Sequence, residues 1–151
     1  MDLKVIWHKP VRLRESGADS DLIYEIDLSK IPDKAGVYVF VRKFGSMRNS
    51  LYVGRAKNLR SRVKQHLNSV RMMKGIQNEA SGSRALLFGV FTPKPGQKIP
   101  KCISLIERAL IRHFLSEGHN LLNISGTHIG KHELNSLKVP GGFVPHKILF
   151  E

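Results

Sequence analysis

The 151-residue sequence has a single cysteine, Cys102, and therefore no means of forming an internal disulfide bond. It also has no apolar run near the roughly 18–20 residues that a membrane-spanning helix requires. Its first residues, MDLKVIWHKP, lack the basic and then apolar arrangement of a signal peptide. These absences predict a soluble protein in a reducing, cytoplasmic setting, without membrane contact, and the length predicts a single domain.

Acidic residues are missing from the whole segment between Lys34 and Asn78, which contains eleven lysines and arginines. Seven of the twelve acids in the chain lie before this segment, and the formal net charge is +13. A folded segment of one sign produces a strong positive potential, and polyphosphate is its natural partner because neutralised phosphates release condensed counterions. A merely soluble basic protein is the alternative, but so pure a block favours nucleic acid.

Runs of apolar residues predict most of the secondary structure. Four runs have the length and pattern of strands: 3–7, 36–42, 51–54 and 85–91. The second and third of these would form a hairpin with a long, turn-rich connection. Two helices are expected, at about 59–70 and 102–115. Asn58 can cap the first helix, and the polar residues 75–84 are expected to form a loop.

Two of the three tyrosines lie beside glycines in the predicted hairpin, in the sequences AGVYVF around Tyr38 and LYVGRA around Tyr52. On the first helix, Arg62 and His66 are four residues apart and therefore one turn from each other. Glu107 falls within the apolar stripe of the second helix, where a carboxylate is costly unless it is paired or bound to a cation. An ion pair with an arginine is the commoner outcome, and a ligand-binding role is the alternative.

These five side chains include each part that phosphodiester hydrolysis requires. A tyrosine close to cations can lose its proton more easily than usual and can then take a proton from water. Arginine can hold the non-bridging oxygens of a phosphate, and a carboxylate can bind a metal ion that acts as a Lewis acid. The spacing of these residues does not by itself show that they converge.

The order of these residues resembles the signature of the GIY-YIG nuclease superfamily. The matching elements are Gly36-Val37-Tyr38, Tyr52-Val53-Gly54, Arg62, His66, Glu107 and Asn123. Asn123, which would brace the site, is preferred to the nearby Asn120 because its neighbours are hydrophobic. The run GRAKNLRSRV is similar to the nucleases of bacterial excision repair. The resemblance implies an α/β (α+β) fold with a three-stranded antiparallel sheet flanked by helices.

The resemblance also implies a metal-dependent endonuclease that acts on DNA rather than RNA, with a single Mg²⁺ or Mn²⁺ ion bound by Glu107. Tyr38 would be the general base, while Tyr52 and His66 would position the water or relay its proton. Arg62 would stabilise the charged phosphate. Basic side chains around the motifs would hold the nucleic-acid backbone: Arg42, Lys43, Arg55, Lys57, Arg60 and Lys64.

The resemblance covers residues 34–125, so the chain is expected to have an N-terminal extension at 1–33, contributing a strand or an arm. Residues 126–151 would form a C-terminal extension that packs on the domain. Because no second DNA-binding module is recognisable, target choice would depend on these extensions, a homodimer or a partner protein. The main alternative function is a basic nucleic-acid-binding module with little or no cleavage activity. A basic structural or ribosome-associated protein with core tyrosines is a third.

Overall fold

The computed structural model of the protein describes residues 1–79, 81–125, 132–138, 140–142 and 147–150. Its strands, in chain order, are β1 (Val5–Trp7), β2 (Val11–Arg12), β3 (Arg14–Glu15), β4 (Tyr24–Glu25), β5 (Gly36–Phe44), β6 (Met47–Ala56), β7 (Ser83–Phe91), β8 (His132–Asn135) and β9 (Lys147–Phe150). Its helices are α1 (Leu59–Leu67), α2 (Val70–Gln77) and α3 (Ile99–Ser116). The mixed α/β fold that the sequence predicted is confirmed.

The centre of the fold is the antiparallel hairpin of β5 and β6, with β7 paired to the other edge of β5. The long connection predicted for this hairpin is wrong, because the two strands continue until Phe44 and Met47 face each other. Only two residues then complete the turn, and the first of them, Gly45, has a φ of +59°. Glycine at that position is typical of a two-residue hairpin turn, which explains why the strands extend so far.

The sheet has five strands rather than the three that the resemblance implied. Both β1 and β2 pair antiparallel with the outer edge of β7, which the N-terminal segment thereby covers. Pro10 lies between these two short strands and has no backbone N–H to donate, which accounts for the interruption. The next pair, β3 and β4, forms a small separate hairpin.

The predicted first helix ends earlier than expected and is followed by a second one. α1 begins after Asn58, whose side chain accepts a hydrogen bond from the backbone N–H of Ser61. Ser69 then caps α2, which occupies part of the segment predicted to be a loop. Val70, the last residue of the predicted first helix, instead begins α2 and is 52% exposed.

The two faces of the sheet carry different helices. Tyr38 and Phe40 point from β5 into a core with α1 and α2, whereas Val39 between them packs against α3. Because β5 is buried on both faces from Gly36 to Phe40, its sequence there is apolar rather than alternating, and charged residues appear only where the strand becomes exposed. α3 confirms the predicted second helix and adds residues at its start, where Pro100 occupies the first turn.

The C-terminal strands β8 and β9 form a separate two-stranded sheet. Part of the apolar sequence FVPHKILF, predicted to pack back on the domain, lies outside the described residues at 143–146. The division of the chain at residues 33 and 125 stays a prediction. No helix in the described part of the chain is both long and apolar enough to cross a membrane.

Candidate active site

Gly54 leaves the space that the Tyr38 ring occupies. The strands β5 and β6 pair so that Tyr38 lies opposite Gly54 and Phe40 lies opposite Tyr52. A Cβ atom at Gly54 would collide with the hydroxyl end of Tyr38, so a larger residue would displace that ring. Tyr38 and Tyr52 stack, with ring centroids 6.4 Å apart and 25° between their planes. The two glycine–tyrosine motifs therefore bring both rings to the sheet face that α1 covers.

A histidine on α1 completes this aromatic cluster. His66 shares the buried face of α1 with Leu59 and Val63, and only 8% of its surface is exposed. Its ring centroid lies 5.4 Å from that of Tyr38 and 5.5 Å from that of Tyr52. Its Nε2 atom forms a hydrogen bond with the Tyr38 hydroxyl. Helical periodicity thus places His66 directly over the paired tyrosines.

Burial sets the protonation states of this cluster. It raises the pKa of Tyr38 above the ordinary value for tyrosine, and Tyr52 adds to the effect while the nearby Arg62 opposes it. Burial lowers the pKa of His66 to about 4, and the Arg62 charge lowers it further. At neutral pH a protonated phenol therefore meets a neutral imidazole. The expectation that cations make Tyr38 more acidic is wrong for the free protein, because burial outweighs Arg62.

Glu107 approaches the same place from α3. Its carboxylate accepts a charge-assisted hydrogen bond of 2.6 Å from the guanidinium of Arg55 on β6. Burial is the largest cause of the raised pKa values of Tyr38 and Tyr52. The negative charge of Glu107 raises both pKa values further, whereas the positive charge of Arg62 lowers them. The acidic and basic groups are thus gathered around β6, at the edge of the sheet.

Two side chains that follow α3 satisfy backbone groups on the outer edge of β6. Buried Asn123 accepts a hydrogen bond from the backbone N–H of Val53 at 2.8 Å and donates one to its carbonyl at 2.6 Å. It thereby takes the place of a neighbouring strand at the middle residue of the second motif. Further along, His119 accepts a hydrogen bond from the backbone N–H of Ser50. Asn120, the other asparagine considered, is exposed.

A comparison with protein families agrees with this arrangement. The family model of the GIY-YIG catalytic domain matches residues 34–120, which is more than half of the chain. The chain belongs to the GIY-YIG family. No curated protein and no solved structure matches it significantly. GIY-YIG domains are nuclease domains that act on nucleic acid and generally use divalent metal ions.

Glu107 is the side chain that fits the divalent ion used by GIY-YIG nucleases. The described residues contain no cluster of three or more histidine, cysteine or acidic side chains that would form a complete metal cage. Mg²⁺, however, is often bound by one or two carboxylates together with water and substrate phosphates. The partly exposed carboxylate of Glu107 is suited to such an ion once Arg55 releases it.

The basic residues predicted to hold the substrate backbone are spread over the molecule. Arg55 and Lys57 line an open cleft of about 410 Å³ between the beginnings of α1 and α3, and Arg62 lines it as well. Lys64 is exposed further along α1. Two more of these residues, Arg42 and Lys43, lie on β5 near the turn of the hairpin, far from the cleft. Of these predicted substrate-binding residues, the structure therefore brings Arg55 and Lys57 to the cleft beside the GIY-YIG motifs.

Arg60, also predicted to contact the substrate, instead holds the chain that leads into β5. Its Nε atom donates hydrogen bonds to the backbone carbonyls of Leu28 and Ile31, and its guanidinium forms an ion pair with Asp33. These contacts tie the Nε–H and one terminal N–H of Arg60 to the segment before β5. We therefore propose that Arg60 positions the N-terminal segment rather than a nucleic-acid phosphate.

Two residues near the GIY-YIG motifs were not predicted. Gln65 accepts a hydrogen bond of 3.1 Å from Arg62, and both side chains line the cleft. Their spacing of three residues on a helix was a usable signal, because such side chains are neighbours. His119 gave no comparable signal, because its hydrogen bond to β6 joins residues that lie 69 positions apart.

The pKa of His66 predicts a specific acid weakness of the fold. Because the folded pKa of about 4 lies below the ordinary 6.5, the unfolded chain binds the proton first as the pH falls. Stability from this group is complete above pH 6.5 and is lost as the pH falls towards 4, by about 3 kcal/mol at pH 4. Urea unfolding across this range should show the loss. His66→Gln, which keeps a partner for Tyr38, should have a flatter profile, and parallel profiles would contradict the assignment.

Proposed function

We propose that the protein is a divalent-metal-dependent endonuclease that hydrolyses phosphodiester bonds in DNA. The observation that carries this proposal is the hydrogen bond between Tyr38 and neutral His66, with Arg62 and Glu107 close enough to influence the phenol. A proton acceptor, a phosphate-binding cation and a metal-binding carboxylate then lie together at the edge strand.

The proton of the attacking water is proposed to pass to Tyr38 while Tyr38 passes its own proton to His66. A phenol with a raised pKa is a poor base alone, because the buried phenolate would be costly. The neutral imidazole already contacts the phenol, so the two transfers occur together and little negative charge builds up on the ring. Tyr52, stacked beside Tyr38, would position the water.

Arginines would hold the scissile phosphate in the cleft beside these rings. Arg62 is exposed at the first turns of α1 and would bind the non-bridging oxygens, where charge increases in the transition state. Lys57, which also lines the cleft, would bind a neighbouring phosphate. Glu107 would hold the divalent ion, which supplies a Lewis acid for the departing 3′ oxygen. Arg55 would then exchange the Glu107 carboxylate for a phosphate.

The main competing function is a nucleic-acid-binding module without cleavage activity. The ion pair between Arg55 and Glu107 favours it, because an internal cation already occupies the carboxylate that a metal ion would need. DNA is proposed as the substrate in either case, since the run GRAKNLRSRV is similar to excision-repair nucleases. Target choice is proposed to depend on the terminal extensions, a second copy of the chain or a partner protein.

Nicking of supercoiled plasmid separates the two functions. We expect relaxed circles with Mg²⁺ or Mn²⁺ and none with a chelator, and we expect structured RNA to be cut more slowly than DNA. Nicking that persists in the chelator would contradict the proposed metal dependence. Tight binding without cleavage of plasmid, branched or damaged DNA would instead support the binding module.

A further inference from the structure

The far end of the β5–β6 hairpin exposes two large apolar side chains. Phe44 is 57% exposed and Met47 is 59% exposed, although most large apolar residues of the described chain are buried. They are cross-strand partners at the last positions before the turn, so they form one apolar tip. The turn contains only two residues, which leaves the tip little freedom to fold back.

Positive charge surrounds this tip. The next cross-strand pair consists of Lys43 and Arg48, both exposed. Like charges directly opposite each other destabilise a sheet. Among the described residues neither of these side chains is in an ion pair with an acid, and no acid occurs in the sequence from 34 to 78. An anion between them would remove the repulsion, so the charges are complementary to a polyanion.

The hairpin also connects the tip to the active site. β5 runs without interruption from Tyr38 to Phe44, which corresponds to about 20 Å at ~3.3 Å per residue. β7 supports β5 as far as Lys43, where it pairs with Ser83. A nucleic-acid strand whose scissile phosphate lies at Tyr38 and which follows the hairpin would reach the tip about six nucleotides away, at ~3.4 Å each.

We propose that this tip is a second nucleic-acid contact, in which Phe44 and Met47 insert against the bases while Lys43 and Arg48 bind the flanking phosphates. The proposal rests on the proposed function and names a feature of its substrate. Apolar wedges unstack the bases that they enter, and this costs least where the stacking is already weakened. The tip should therefore favour DNA with a mismatch, a bulge or a junction about six nucleotides from the cut.

Binding measured in chelator tests the tip without any need for cleavage. The full chain is titrated into fluorescent duplexes with and without a bulge, and the double variant Phe44→Ala/Met47→Ala is compared with the parent. We expect the variant to bind the bulged duplex about tenfold more weakly. Ile6→Ala is the matched control, because Ile6 is 66% exposed on β1 and lies outside the hairpin; this variant should bind as the parent does.

Two further measurements identify the contact. A 2-aminopurine base near the bulge should brighten when the parent binds and should stay dim with the tip variant. The double variant Lys43→Ala/Arg48→Ala should have a shallower slope of log affinity against log salt concentration, by the amount that about two phosphate contacts contribute. Equal affinities of parent and tip variant for both duplexes would overturn the proposal, whether or not the protein nicks plasmid. The proposal would also be overturned if the tip variant bound DNA as the parent does but no longer bound phosphatidylserine vesicles, since the partner of the tip would then be a membrane.

Discussion

Glu107→Gln is expected to reduce cleavage by about a thousandfold and to leave DNA binding almost unchanged. The amide has the shape of the carboxylate but not its charge, so the divalent ion would lose its proposed ligand, and several kcal/mol of transition-state stabilisation would be lost. The fold should tolerate the change, because the lost ion pair with Arg55 is partly exposed and such pairs contribute about 0–1 kcal/mol. Single-turnover nicking with saturating protein measures the chemical step, and binding is measured separately in chelator.

Arg55→Gln is the matched control, because it removes the other partner of the same ion pair. In the absence of DNA this variant should bind Mn²⁺ at least as tightly as the parent, since no internal cation competes for Glu107. Glu107→Gln should lose that binding. Titration followed by the paramagnetic resonance of free Mn²⁺ reports both directly. A Glu107→Gln protein that nicks at the parental rate, or that retains Mn²⁺, would contradict the assignment of this carboxylate as the metal ligand.

The central elements of the fold could be predicted because their signals are local. A strand such as β5 is apolar along most of its length, and the glycine of the second motif, Gly54, leaves room for the Tyr38 ring. The residues of α1 that face the sheet, Leu59, Val63 and His66, could be predicted from their helical spacing. The order of the motif residues was enough to recognise the resemblance to the family, which the family model over residues 34–120 confirms.

Other features depend on partners that are distant in the sequence. β1 and β2 became part of the sheet through pairing with β7, about 80 residues later, which no local pattern indicates. α2 is a short amphipathic segment interrupted by Gly75, and it is stabilised as a helix because Met73 and Ile76 are buried against the core. The loop predicted at 75–84 rested on its polar residues and glycines, and its first residues, 75–77, are instead the last turn of α2.

The electrostatics of the site could not be read from the order of its residues either. Arg62 does oppose the raised pKa of Tyr38, as a nearby cation should, but burial has the larger effect. Burial is a property of the whole core and depends on Phe40, His66 and α1 together. Similarly, nothing in the charge pattern distinguishes Arg60, which is held by backbone carbonyls, from the arginines of the cleft.

Tyr38→Phe is expected to slow cleavage by about 10²- to 10⁴-fold, the usual effect of general acid–base catalysis. The fully buried ring remains in place, so only the hydroxyl and its hydrogen bond to His66 are lost. Tyr24→Phe is the matched control, because Tyr24 is a buried tyrosine on β4, outside the active site, and this variant should cleave at the parental rate. A Tyr38→Phe protein that also cleaves at the parental rate would exclude the phenol from the reaction.

The pairing of Tyr38 with His66 is tested by combining their substitutions. If they form one proton path, Tyr38→Phe/His66→Gln should be no more than a few times slower than the slower single variant, as for residues that act as a unit. If the two residues act separately, the losses should multiply. Single-turnover rates of the four proteins, measured at one saturating protein concentration, distinguish these outcomes.

The pH dependence of the parent then shows how the proton leaves Tyr38. If Tyr38 had to ionise before the water attacks, the rate would rise about tenfold for each pH unit below its raised pKa. If His66 accepts the proton as the water attacks, the rate should be nearly constant from about pH 7 to about pH 9, because His66, with a pKa of about 4, is already neutral. A flat profile in the parent, with a non-additive double variant, would fit the shared path alone. A tenfold rise per unit would mean that the buried phenol ionises despite its surroundings, and that the bound substrate or metal ion supplies the missing stabilisation.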